Sequence, residues 1–217
     1  ECAGLRAPMG GNMGVSAAEM ALQLKQASGP EPDWMVMELS SYQIEAADRI
    51  RPRIGIWTTL TPDHLERHGT VEAYRAIKRG LLERSDHAIF NADDPDLRQQ
   101  RQSWTGGTWV SAESAQPDGQ PADLWINGEG WVCDRSQPLF PAEALAMPGA
   151  HNRQNLLLVT AAALQIGLSP ASIEAGLRSF PGVPHRLEPL GRIGNAQVFN
   201  DSKATNYDAA AVGLKAM

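Results

Sequence analysis

Glu38 closes an apolar run, Trp34-Met35-Val36-Met37-Glu38. Ligands of open α/β sheets bind just outside the carboxyl ends of the strands, so a carboxylate there is well placed for function. It could equally cap the following turn together with Ser40 and Ser41. The run Thr58-Thr59-Leu60-Thr61-Pro62 leads in the same way into Asp63 and His64. A histidine beside an aspartate in a strand-end loop suits a metal ligand or an acid/base, and suits an ordinary hydrogen-bonded loop residue as well. Lys78 is more informative. On a helix starting near Thr70 the apolar stripe is Val71, Tyr74, Ile77, Leu81 and Leu82, and Lys78 falls inside it. A lysine at the edge of such a stripe can snorkel to water, whereas a partly buried one gives up its proton readily and can then react as a neutral amine. Arg75 and Arg79 lie off the stripe and read as a solvated face.

Further along, Gly10-Gly11-Asn12-Met13-Gly14 precedes a helix and could present backbone N–H groups to a phosphate, or form a plain turn. Asn152 and Asn155, three apart on the first turn of a helix, could grip a base edge or cap the helix. His185-Arg186 follows a Pro-Gly-Val-Pro break, and Asp201-Ser202-Lys203-Ala204-Thr205-Asn206 follows a strand. Each is ambiguous alone, but together, at strand ends and a domain junction, they imply a cleft.

The elements that must position these residues alternate. Trp34 to Leu39, Ile54 to Leu60 and His87 to Asn91 read as buried strands, and Val15 to Gln26 and Val71 to Arg84 as helices, so the expected fold is α/β with a mostly parallel sheet flanked by helices. Thr108 to Val132, broken by Gly, Pro and Asn-Gly, predicts a small appended antiparallel element. Helices follow over Asn152 to Ile166 and Pro170 to Phe180. Strands over Leu187 to Ile193 and Gln197 to Asn200 and a helical start at Asn206 open a second α/β unit. The boundary falls near Val183, with one domain over 1–182 and the beginning of another over 183–217. The 217 residues, 42% hydrophobic, suffice for a sizeable core. A net charge of −6 offers no basic face for nucleic acid. No membrane span or signal peptide is expected, so the cytoplasm is the expected location. Cys2 and Cys133, far apart and without metal-ligand spacing, read as free thiols. The ends of the sequence read as truncations.

Taken in order, these segments resemble the Mur ligases. Glu38-Leu39-Ser40-Ser41-Tyr42-Gln43-Ile44-Glu45 is similar to that family's ELSSFQLE segment, with Tyr42 in place of phenylalanine. Asp63 to Gly69, Tyr74 to Lys78, Asn91 to Asp94, His151 to Asn155 and His185-Arg186 follow in family order. Asn200 to Asn206 is similar to the NDSKATN signature of the branch that adds D-glutamate. The interval from His64 to Lys78 is slightly shorter than in some relatives.

The resemblance implies a central ATP-binding domain and the start of a Rossmann-like C-terminal domain. It implies an ATP-dependent amide ligase joining D-glutamate to UDP-N-acetylmuramoyl-L-alanine in peptidoglycan synthesis through an acyl phosphate. Glu38, His64 and Lys78 would be catalytic and would bind two Mg2+ ions, Lys78 as a CO2-derived carbamate. Asn152, Asn155, Arg186, Asp201 and Lys203 would surround ATP, while Asn12, Ser40, His64 and Thr205 would contact substrate. A monomer is expected. The family's phosphate loop, its UDP-binding domain and the residues that hold D-glutamate are not in this sequence, so the chain by itself is expected to be inactive. Two alternatives carry different expectations: a sister ligase of the folylpolyglutamate or cyanophycin synthetase type, against which the Asp201 to Asn206 run argues, and a non-catalytic binding protein derived from a ligase.

Overall fold

The computed structural model describes residues 3–205 and 207–217; Cys2 and the expected helical start at Asn206 lie outside them. Two compact units are formed, one from residues 1–90 and 94–108, the other from 91–93 and 109–217.

In the first unit, β1 (Met9–Gly11) and β2 (Val36–Glu38) pair in parallel, with Gly11 opposite Glu38. Between them α1 (Ala17–Gln26) starts at Ser16, whose side chain accepts from the Glu19 amide. After β2 comes α2 (Ser41–Ala46), opened by a reciprocal cap between Ser40 and Gln43. The capping role thus falls to Ser40 and Gln43, with no part for the Glu38 carboxylate. β3 (Ile54–Trp57) runs parallel to β4 (His87–Asn91). The crossover carries α3 (Leu65–His68) and α4 (Val71–Glu83), the latter capped by Thr70. α5 (Pro95–Gln99) begins at Asp94 with proline in its first turn. Apolar alternation on the strands and the stripe of α4 meet in a core containing Ile44, Trp57, Leu82, Ile89, Phe90 and Leu97, all less than a tenth exposed.

In the second unit, which takes all of β5 (Thr108–Ser111) but its first residue, β5 pairs in parallel with β6 (Leu124–Ile126). β6 then pairs antiparallel with β7 (Trp131–Asp134), and β7 with β8 (Pro138–Pro141). The long helix α6 (Ala150–Gln165) packs on β6, and α7 (Pro170–Arg178) on β8. Val110, Val132, Phe140, Leu156 and Leu157 are at most 1% exposed and form the core. An antiparallel hairpin of β9 (Glu188–Ile193) and β10 (Ala196–Asn200) precedes α8 (Tyr207–Lys215).

The structure is therefore the α/β arrangement expected, with parallel strand pairs, flanking helices and a small antiparallel element. Three details differ. The antiparallel element begins one strand later than expected, because Thr108–Ser111 joins its neighbour in parallel. The Trp34 to Leu39 strand shrinks to Val36–Glu38, and Val36 is half-exposed, since among the described residues β2 pairs only with β1. Arg75 and Arg79 are not a solvated face. Arg75 donates from Nε to Asp96 at 2.8 Å, and Arg79 bonds Glu83 and Ser103 while lying 4.4 Å over the Trp104 ring. Among the described residues no helix is long and apolar enough to cross a membrane.

Candidate functional site

The carboxyl ends of β1 and β2 meet closely. The Asn12 amide donates to the Glu38 carbonyl at 2.7 Å, and Gly11 sits at φ 118°. A Cβ on Gly11 would collide with the Glu38 carbonyl oxygen, and one on Gly10 with that of Val15. The glycine cluster therefore serves close backbone approach rather than a free turn. It leaves the Glu38 and Asn12 side chains exposed at a strand end.

The loop after β3 is held from the start of α5. Asp94, buried, accepts from Thr59 Oγ1 at 2.7 Å, from the Leu60 amide at 2.9 Å and from the Leu97 amide at 2.9 Å. The loop so pinned delivers Asp63 and His64. His64 takes a left-handed conformation, φ 54° and ψ 34°, at the start of α3. Its amide donates to Asp63 Oδ1 at 2.8 Å, and its ring lies 3.8 Å from Asp63 and 3.7 Å from Glu66. A non-glycine residue in that region is held there by its surroundings.

Lys78 is half-buried on α4, as its place in the stripe predicts, with Nζ 4.9 Å from the Tyr74 ring centroid. Burial pushes its ammonium below the ordinary lysine value, against the opposing pull of Glu38 and Asp63. Burial also pushes the Tyr74 phenol up, helped by Asp63. Glu38, Asp63, His64 and Lys78 thus belong to one polar region of the first unit, built on two strand ends and one helix.

Sequence reasoning missed the side chains between them. Tyr42 packs edge-on to His64 with centroids 5.2 Å apart, His68 lies 5.4 Å from Tyr42 and 5.5 Å from Tyr74, and Ser41 Oγ is 3.0 Å from His68 Nε2. The available signal was the spacing of His64 and His68, one helical turn apart. Ser40, taken as a substrate contact, spends its hydroxyl on the cap of α2.

In the second unit, Asn152 is buried, donates to the Pro148 carbonyl at 2.6 Å and accepts weakly from Asn155 Nδ2 at 3.5 Å. Asn152 also lines a groove of about 510 Å³ with Trp131, Glu143, Met147, Arg153 and Leu156. His151 was not singled out as a site residue, yet burial and then Arg186 lower its pKa while Asp201 raises it, so these three share one neighbourhood. Asp201 Oδ1 accepts from the Leu187 amide at 3.1 Å, the Lys203 amide donates to the His185 carbonyl at 3.0 Å, and Thr205 is exposed. Of the expected nucleotide residues, only Asn152 reaches the groove.

An α/β unit with an acidic strand end, a left-handed histidine and a half-buried lysine is the setting in which the family comparison falls. The Mur ligase middle domain matches residues 12–163, and the chain belongs to the Mur ligase family. Within it, the chain is 93% identical over 215 residues to the UDP-N-acetylmuramoylalanine--D-glutamate ligase of Parasynechococcus marenigrum (strain WH8102), covering 99% of this chain and 46% of that protein. It is 72% identical to the enzyme of the same name from Synechococcus sp. (strain CC9605), covering all of this chain and 47% of that protein. The chain thus spans about half the length of these relatives. Among solved structures, MurF from Acinetobacter baumannii matches 97% of this chain and 48% of its own at a TM-score of 0.71 and 16% identity. MurF from Thermotoga maritima in complex with ADP matches 99% and 51% at 0.66 and 19%. At these identities the likeness is one of fold.

Proposed function

We propose that this chain is part of an ATP-dependent ligase that joins D-glutamate to UDP-N-acetylmuramoyl-L-alanine. The observation that carries the reading is the 93% identity over nearly the whole chain to a protein of that name. The site supports it chemically. A muramoyl-alanine carboxylate attacking the γ-phosphate brings two anions together, so the reaction depends on positioning and electrostatic stabilisation. The attack releases ADP and leaves an acyl phosphate, whose acyl carbon the D-glutamate amine then attacks, losing a proton and displacing phosphate to form the amide.

Two Mg2+ ions fit this chemistry, and we assign Glu38 to the one on the ATP phosphates, with His64 and Lys78 for the other. Lys78 joins the donor set in this reading because the resemblance implies it and because it lies within the electrostatic reach of Glu38 and Asp63. Its half-burial and lowered pKa favour the neutral amine that can combine with CO2, and a carbamate formed there, with loss of a proton, would supply an oxygen donor to the ion. Bound there, the ions would neutralise phosphate charge. This chain's residues would orient the reacting groups: Lys78 and His64 from α4 and the strand-end loop, Asn12, Ser40 and Thr205 as contacts to the UDP-linked substrate, and Asn152, Asn155, Arg186, Asp201 and Lys203 as contacts to ATP. We further infer a domain boundary near Val183, a cytoplasmic monomer, and no turnover by residues 1–217 alone.

The test is phosphate release by the full-length enzyme with ATP, Mg2+ and UDP-N-acetylmuramoyl-L-alanine, comparing D-glutamate with L-glutamate, L-lysine and diaminopimelate. Release dependent on D-glutamate supports the assignment. Release with another amino acid, or none, withdraws it.

A further inference from the structure

We propose that His68 is a positioning residue, a single ring that braces both His64 and Lys78. The proposal rests on the ligase reading above. His68 ends α3, one helical turn after His64. On one side its ring lies 5.4 Å from that of Tyr42, tilted by 59°, and Tyr42 in turn packs at 76° against His64. On the other side it lies 5.5 Å from Tyr74 at 36°, and the Tyr74 ring faces Lys78 Nζ. Its Nε2 is 3.0 Å from the hydroxyl of Ser41, which is 3% exposed on α2. One imidazole therefore ties α2, α3 and α4 together and touches the immediate neighbour of each of the two side chains.

Both of those side chains need such support. His64 holds a left-handed backbone that no side-chain cap secures at the start of α3. Lys78 carries a long flexible stem, and its position over Tyr74 is set by how that ring is held. Tyr42 is itself steadied from outside by Arg67, whose guanidinium lies 5.8 Å from the ring and bonds Glu45 at 2.8 Å. The brace thus runs from a surface ion pair through Tyr42 and His68 to Tyr74, and His68 is the member with contacts in both directions. A flat apolar ring at position 68 keeps the contacts with Tyr42 and Tyr74 and gives up only the Ser41 bond, whereas a small side chain loses all three, so the ring should be the better replacement.

The experiment uses the full-length enzyme in native, His68→Ala, His68→Phe and Tyr42→Leu forms. Two readouts are taken: steady-state phosphate release against Mg2+ concentration, and binding of Mn2+ alone, without turnover, by electron paramagnetic resonance. For His68→Ala, kcat falls about 10- to 100-fold through misplaced groups, and the Mn2+ dissociation constant rises about tenfold. KM for ATP stays within about threefold, since the ring contacts and the hydrogen bond of His68 go to Tyr42, Tyr74 and Ser41 and to none of the residues assigned to ATP. His68→Phe recovers most of both losses. Tyr42→Leu, a change at a 40% exposed residue that does not threaten folding, moves Mn2+ binding in the same direction and decides the question if His68→Ala does not fold. A fall in kcat that tracks only the folded fraction, with native Mn2+ affinity in both the Ala and Leu variants, overturns the proposal while leaving the ligase reading intact. Absence of D-glutamate-dependent release from the native enzyme overturns the ligase reading and this inference together.

Discussion

Asp94→Ala offers the most direct measure of how the strand-end loop is held. The Asp94 carboxylate is 7% exposed and accepts three hydrogen bonds, from Thr59 Oγ1, the Leu60 amide and the Leu97 amide. Its removal takes away the cap of α5, worth about 1 kcal/mol, and leaves the amide of buried Leu60 without its acceptor, at about 1–3 kcal/mol. The expected destabilisation is therefore about 2–4 kcal/mol. With a urea m-value of about 3 kcal/mol/M, the unfolding midpoint of this unit moves down by roughly 1 M. Urea titration followed by tryptophan fluorescence is suitable, since Trp57 and Trp104 lie in the same unit. The loop that carries Asp63 and His64 loosens at the same time, so activity of the folded enzyme drops as well. Asp94→Asn keeps the cap oxygen but replaces the second acceptor with a donor, and should fall between Ala and native. A midpoint change under about 0.2 M with an unchanged m-value, equivalent to about half a kcal/mol, would refute the reasoning.

Four more perturbations, at the strand end and elsewhere in both units, have definite expected outcomes. Gly11→Ala costs at least about 1–2 kcal/mol, because a side chain at positive φ is strained and this one meets the Glu38 carbonyl; the thermal midpoint of the enzyme should fall and D-glutamate-dependent release with it. Burial lowers the Lys78 pKa from 10.5, so between that lowered value and 10.5 the unfolded chain binds more protons and stability rises with pH. Lys78→Met should flatten this rise relative to native when urea midpoints at pH 8 and pH 10 are compared. Burial lowers the His151 pKa from 6.5, so acidification through 6.5 protonates the unfolded chain first and stability is lost as pH falls; His151→Asn should remove that part of the loss in midpoints measured at pH 7.5 and pH 5.5. Arg75→Ala should destabilise by about 1–3 kcal/mol, more than a surface arginine, because the buried portion of its pair with Asp96 is lost; chemical denaturation measures it.

Much of this protein was legible in the residues themselves. The apolar runs Trp34 to Leu39, Ile54 to Leu60 and His87 to Asn91 mark strands, although the first shortens to Val36–Glu38 and stays partly exposed and the second shortens to Ile54–Trp57. The stripe of Val71, Tyr74, Ile77, Lys78 and Leu81 marks α4 because helical period is a local property. Chemistry-bearing residues at strand ends, and a lysine inside an apolar stripe, were visible for the same reason. What the tertiary structure alone decided depends on atoms distant in sequence. The pairing of Thr108–Ser111 is parallel because of where its partner strand runs, not because of its own composition. Gly10 and Gly11 read as a turn until the Val15 carbonyl and Met20 close on the first and the Glu38 carbonyl of β2 on the second, filling the space a side chain would occupy. Arg75 and Arg79 read as solvated until α5 and Trp104 close over them. The lowered pKa of Lys78 and the joining of Tyr42, His68 and Tyr74 around it exist only once three helices converge, because burial and ring contact are sums over neighbours that no local pattern encodes.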